Sequence, residues 1–253
     1  MQLIDTHCHI HSSNYPLDAE QVYRNMLEAG VAKLICVGED VEDSKLAAAW
    51  ALSHSNTWAS VGVHPHEAKK GIMGIENLLK DKKFSSKIVA IGEIGLDYHY
   101  LHSSRVEQVA ALEAQLQLAQ EYNLPVIFHV REAYDDFWPV LAGFHGITGV
   151  LHSFTDSEVT LERALAQGLY IGVNGIATFT KDKSQTIMYK RVPLSHLLLE
   201  TDSPYLTPAP WRGKVNEPAY VKVVAEYLSQ LFQISLEDLA QHTSQNATTL
   251  FPI

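Results

Sequence analysis

A chain of 253 residues carrying a net charge of −10, with 46% hydrophobic and 19% charged residues, has the length for one large α/β domain or two smaller ones. That acidity excludes a protein that wraps duplex nucleic acid by bulk electrostatics, a mode that needs many Lys and Arg against phosphate, but not an enzyme that holds a strand end through metal ions and a few donors. No apolar run reaches the roughly 20 residues that span a bilayer, and the start lacks the basic stretch and long apolar core of a secretory signal, so a cytoplasmic protein with no membrane partner is the expectation.

Apolar or β-branched runs alternate with helical stretches along the whole chain. The runs cover residues 2–5, 34–37, 57–63, 88–92, 126–130, 149–153, 169–173 and 197–200. The first leads into "LIDTHCHIH", where His7 and His9 sit two apart and leave the same face of an extended chain, with Cys8 on the opposite face. Cys8 and Cys36 follow or end apolar runs and read as small buried residues, not a disulfide framework. Asp18 with Gln21 has capping-box spacing, and Gly30 sits where that helix should stop. His64 and His66 follow the third run. Residues 69–87 are the most basic part and read as a solvated helical face. Glu93 follows the fourth run inside "IGEIGLDY", with Gly92 and Gly95 free of side chains that would keep backbone from bound metal. Ser104 with Glu107 opens the clearest helix, 104–122, whose Val109, Leu112, Leu116 and Ala119 form one buried stripe. His129 lies in the fifth run and His152 in the sixth. Thr155 with Glu158 fits another capping box, Gly168 another stop, and Asp202 follows the eighth run in "LLLETDSPYL", two residues beyond Glu200.

Continuous apolar strands separated by helices imply a parallel sheet buried on both faces, and eight such units in this length predict a (β/α)8 TIM barrel. An open doubly wound sheet is the rival, but no glycine-rich dinucleotide fingerprint follows the first strand. With no internal repeat, low-complexity tract or linker, residues 1–253 are expected to form a single domain.

Barrel enzymes build their sites at the C-terminal ends of strands. Polar side chains stand there in series: His7, His9, His64, His66, Glu93, His129, His152 and Asp202. An imidazole or carboxylate at a buried strand end must be solvated, paired or bound to metal. A histidine satisfied by backbone explains any one of them but explains the set poorly. Imidazole nitrogen and carboxylate oxygen suit Zn²⁺, Mn²⁺ or Mg²⁺, and Glu93 is the candidate to bridge two ions, which would activate water for hydrolysis. Asp202 is either a cap for the turn at Ser203 and Pro204 or a ligand that also accepts a proton from the attacking water. Glu200 would support the site from below.

Together "DTHCH", "VGVHPH", "GEIGLDY", "VIFHVREA", "HSFTD" and "ETDSPYL", with "WRGKVNEP" behind them, closely resemble the TatD family of metal-dependent deoxyribonucleases, a branch of the amidohydrolase superfamily, over essentially the whole chain. The resemblance implies a barrel with two divalent ions, one on His7, His9, Glu93 and Asp202, the other on Glu93, His129 and His152. It implies Mg²⁺- or Mn²⁺-dependent hydrolysis of single-stranded DNA from the 3′ end, with RNA as a further substrate. His66, Arg131, Arg212 and Lys214 match family motifs and would meet phosphate or steady the site, unless they anchor loops through ion pairs. Tyr98 and Trp211 would stack a terminal base or pack the pocket wall, and Glu217 would cap the following helix or pair with a basic residue. Two departures bear on the substrate: Asp156 stands where the family often has glycine, and His99 and Tyr100 follow "LDY" in place of arginine-rich chemistry. The alternative on the same metals is an amide, ester or lactone hydrolase or deacylase. A non-catalytic metal-binding protein is a third reading, and a monomer is the expected state.

Overall fold

The computed structural model describes residues 2–253. Eight strands form one sheet in chain order: β1 (Leu3–Cys8), β2 (Val31–Val37), β3 (Thr57–Val61), β4 (Ile88–Asp97), β5 (Val126–Arg131), β6 (Gly149–Leu151), β7 (Tyr170–Val173) and β8 (Leu197–Leu199). Their recorded pairings are parallel, and a further parallel bridge joins Cys8 to Ser203, just past β8. First strand beside last, with helices between, is the topology of the predicted (β/α)8 barrel. The chain packs as two compact units, one comprising the residues up to Ile35 with Ser153–Leu250, the other Cys36–His152 with Phe251–Ile253.

In the first unit every residue of β1 is buried, and the junction of β1 with the end of β8 is dense with polar contacts. Asp202 N–H donates to His7 O and His9 N–H to Ser203 O, both at 2.8 Å. Below them the buried Asp5 carboxylate accepts from Thr201 N–H at 2.9 Å and Thr201 Oγ1 at 2.6 Å. Burial pushes the Asp5 carboxyl well above its usual pKa, against the lowering effect of these bonds. Helices α9 (Val221–Phe232) and α10 (Leu236–Leu250) cover β1 and β8, and Asn246 Nδ2 fastens α10 to the carbonyls of Leu194 and Leu197. Asp18 caps α1 (Ala19–Glu28) by accepting from the N–H groups of Glu20 and Gln21. The Thr155 cap is not formed: Ser157 opens α6 (Glu158–Ala166), accepting from Thr160 N–H, and Asp156 accepts from Thr160 Oγ1. The hydroxyl nearest the first helical turn has displaced the expected one.

In the second unit α2 (Val41–Ser53) lays the small residues Ala47, Ala48 and Ala51 against β3. The capping box of Ser104 and Glu107 opens α4 (Arg105–Tyr122) as expected, with Leu112, Leu116 and Ala119 buried and Val109 half-buried. Two glutamines on the same face are also buried. Gln108 accepts from Asp97 N–H and donates to the carbonyls of Asp97 and Ser103; Gln115 accepts from Val63 N–H and donates to Val63 O and Ala111 O. Each satisfies strand-end backbone that water cannot reach. The basic segment 69–87 opens on the end of a 3-10 helix, Pro65–Lys70, and is α-helical over α3 (Ile75–Lys80), where Ile75, Leu78 and Leu79 are buried while Lys69, Lys70, Lys80, Lys82 and Lys83 are exposed. Cys8 and Cys36 are buried and form no disulfide.

Candidate metal centre

In the first unit His7 and His9 project from the same face of the chain, as the spacing of two requires. Their Nε2 atoms lie 3.2 Å apart, with Asp202 Oδ1 at 3.6 Å from His7 Nε2 and 3.3 Å from His9 Nε2. One ligand atom from each of the three falls within 4.8 Å of the others. Asp202 adopts a left-handed backbone, φ 58, and accepts from Tyr205 N–H. It therefore makes the turn with its main chain while its carboxylate faces the histidines, so the turn does not draw on the carboxylate. Glu200, 1% exposed, accepts from Ser153 N–H at 2.7 Å and Asn174 Nδ2 at 3.1 Å, which fixes the residue that follows His152 in the chain.

In the second unit Glu93 lies inside β4, not after it, because that strand runs on to Asp97. Its Oε1 is 2.7 Å from His129 Nδ1, 3.1 Å from His152 Nε2 and 3.6 Å from His64 Nε2. Glu93, Gly95 and Asp97 alternate along one strand, and Gly95 pairs with His129 in β5. A Cβ on Gly95 would stand 1.8 Å from His129 O, and one on Gly92 2.7 Å from Ile127 Cβ. The glycines thus admit the neighbouring strand, where the sequence suggested room for metal. The His129 ring consequently sits between two carboxylates, with Nδ1 toward Glu93 and Nε2 3.1 Å from Asp97 Oδ2.

Asp97 gathers more than His129. Its Oδ2 also lies 3.0 Å from His66 Nε2, and its Oδ1 accepts from the N–H groups of His99 and Tyr100. Burial alone would raise this carboxyl; the hydrogen bonds from His129, Tyr100 and His66 hold it well below the usual range. Burial opposes protonation of His129 too, but Asp97 and Glu93 raise its pKa. His64 moves the other way: burial, then the charge of His129, depresses it. His64 Nδ1 accepts from His66 N–H, and one ligand atom each from His64, Glu93 and His129 falls within 4.8 Å of the others, so His64 could also hold an ion there.

Other expected contacts are distributed between the units. In the second, the Tyr98 hydroxyl donates to Asp136 at 2.7 Å and the Arg105 guanidinium lies 4.1 Å from its ring centre, so the ring is packed by its own neighbours. Arg131 is exposed, 4.9 Å from the Tyr100 ring centre. In the first, Arg212 donates to Thr207 O and lies 3.7 Å from the Phe179 ring centre. Trp211 stacks on Tyr220 with Lys214 Nζ 4.6 Å from its ring centre. Arg131, Arg212 and Lys214 rest on aromatic rings and not, among the described residues, on ion pairs. Glu217 accepts from Asn25 Nδ2 without capping the following turn. Sequence reasoning missed Asp97, and it placed His64 in the strand-end series without assigning it to either ion. The signal for Asp97 was the alternation Glu93, Gly95, Asp97 on one strand face.

The donor sets of both clusters, imidazole nitrogen with carboxylate oxygen, fit borderline and hard divalent cations. Comparison with known proteins agrees. Residues 4–252 match the family described as TatD related DNase. The chain is 37% identical over 255 residues to an uncharacterized metal-dependent hydrolase, YabD, of Bacillus subtilis (strain 168), covering 99% of each chain. It is 34% identical over 257 residues to the 3′-5′ ssDNA/RNA exonuclease TatD of Erwinia amylovora, covering 98% of this chain and 99% of that one. The crystal structure of YJJV, a TatD homologue from Escherichia coli K12, superposes with a TM-score of 0.91 at 32% identity, covering 99% of this chain and 98% of that one. With both clusters intact and the likeness running end to end, the chain belongs to the TatD family of metal-dependent hydrolases.

Proposed function

We propose that the protein is a 3′-5′ exonuclease of single-stranded DNA, with RNA as a second substrate, working with two divalent ions, Mg²⁺ or Mn²⁺ in preference to Zn²⁺. The supporting observation is the gathering of histidines and carboxylates, His7 and His9 with Asp202 and His129 and His152 on Glu93, in a chain similar along its length to a relative named for that activity. His7, His9 and Asp202 would hold one ion, and Glu93, His129 and His152 another. Bound divalent ions supply an activated water and neutralise charge on the non-bridging phosphate oxygens. Asp202 takes the proton of the attacking water, since its side chain is held toward the cluster by a turn made with its own backbone. Arg131, Arg212 and Lys214 bring exposed positive charge for phosphate, and Trp211, 40% exposed, offers a stacking surface for a terminal base. His66 acts indirectly, through its bond to Asp97.

The test is digestion of a 5′-labelled single-stranded oligonucleotide with Mg²⁺, Mn²⁺ and Zn²⁺ in parallel, beside a Glu93→Ala control. A ladder shortening from the 3′ end and absent from the control is expected. No cleavage by folded, metal-loaded protein would refute the proposal and direct attention to esters, lactones and acylated substrates.

A further inference from the structure

His129 is held at both ring nitrogens by carboxylates that differ in their remaining obligations. Glu93 Oε1 is approached by His129 Nδ1, His152 Nε2 and His64 Nε2. Asp97, 1% exposed, spends one oxygen on two backbone N–H groups and the other on the Nε2 atoms of His129 and His66. Two of these groups are backbone donors, a carboxylate has no proton to offer the two rings, and the backbone of Asp97 is pinned in turn by Gln108. We infer that Asp97 is the positioning residue of the second cluster: it keeps the proton of His129 on Nε2 and so presents Nδ1, on the Glu93 side, as that residue's ligand atom. A histidine ligand whose other nitrogen donates to a carboxylate has its tautomer and ring orientation fixed, and removal of such a partner commonly weakens metal binding by about 10- to 100-fold.

The same carboxylate carries the effect outward. By holding His66 and the N–H groups of His99 and Tyr100, Asp97 ties the segment after β4, one of the two departures from the family pattern, to the ring orientation of His129. A change in that segment would therefore reach the ligand through Asp97.

Asparagine in place of Asp97 makes the dependence visible. With its carbonyl toward the two rings, the amide NH₂ would oppose two backbone N–H groups, which cannot change. With its NH₂ toward the rings, His129 can answer by moving its proton to Nδ1. The second arrangement is the less costly, so Asp97→Asn should invert the tautomer and take away the ligand atom.

The inference rests on the reading of His129 as a metal ligand, and the experiment separates the two. Long-range ¹⁵N spectra of the full-length protein, assigned with a His129→Gln variant, would be recorded with and without Zn²⁺. Zinc-dependent displacement of His129 Nδ1 with a retained proton on Nε2 is expected. Zinc on Nε2 would overturn the role of Asp97 and leave His129 a ligand; no zinc-dependent change at either nitrogen would overturn both. Calorimetric titration of Asp97→Asn with Zn²⁺ should show one class of site weakened about 10- to 100-fold, with the His7, His9 and Asp202 class unchanged. Unchanged affinity in both classes would overturn the inference. Should that variant fail to fold, the spectra of the natural protein decide alone.

Discussion

Replacing Gln108 by leucine tests whether α4 is held to β4 by polar contacts in addition to its apolar stripe. The side chain is fully buried, and its amide serves three backbone groups at 2.8 to 3.1 Å: Asp97 N–H, Asp97 O and Ser103 O. Leucine is close in volume, so the packing term is small and the unpaired backbone dominates. An unsatisfied buried group costs about 1–3 kcal/mol. The N–H has one chance to bond and falls toward the upper end, whereas carbonyls lose one of two lone-pair partners and fall toward the lower. With part of the loss returned by the apolar side chain, a net destabilisation of about 3–4 kcal/mol follows. Urea unfolding of the chelator-treated protein, followed by far-UV circular dichroism, would report it as a lower midpoint at unchanged m-value. Gln117→Leu, on the exposed face of the same helix, is the control and should move the midpoint little. A Gln108→Leu loss below about 1 kcal/mol would refute the reasoning, because it would mean that water or relaxed backbone satisfies all three groups.

Glu93→Ala should lower the zinc content of the folded protein by about one equivalent per chain, measured by elemental analysis after dialysis; full retention would remove Glu93 from the ligand set. Gly95→Ala should fail to give folded protein, because the new Cβ meets His129 O at 1.8 Å, while Gly71→Ala, with nothing within 4 Å but a backbone at φ 72, ψ 171 that favours glycine, should cost only about 1–3 kcal/mol. Thermal melts of the two side by side check this, and equal effects would show that β5 can move away. Binding of single-stranded DNA to a cleavage-deficient variant should depend weakly on salt. Two or three phosphate contacts give a log-log slope of about −1.4 to −2.1, and a slope steeper than about −5 would contradict a confined contact made by an acidic protein.

The barrel topology and the ligand candidates were legible because both rest on strong periodicities. Eight buried strands read as eight apolar runs, and a polar residue ending such a run stands out against its neighbours. Less was legible where a residue's role depends on a partner far along the chain. Gln108 and Gln115 look like solvent-facing residues in an amphipathic helix; only the strand ends they meet explain their burial. Asp97 lay beyond the expected end of its strand, since Glu93 interrupts the apolar pattern five residues into a strand of ten. Tyr98 had the right residue type for base stacking, but Asp136 and Arg105 already occupy its hydroxyl and ring. The bond from His66 N–H to His64 Nδ1 has no sequence signature at all, since it depends on the local turn of the backbone.

The β1 junction gives the two clusters different histories during synthesis. Glu93, His129 and His152 belong to one continuous stretch of chain, so those ligands are all available once the ribosome has passed residue 152. His7 and His9 are among the first residues made, yet the Asp202 carboxylate and the bonds from Asp5 to Thr201, 196 residues apart in sequence, must wait until most of the polypeptide has emerged. If the proposed ligands are right, a nascent chain of intermediate length would hold the complete Glu93, His129 and His152 set while its opening histidines still lack their carboxylate. On the proposed ligand assignment, the order in which the two clusters could take up ions would follow where their residues are encoded.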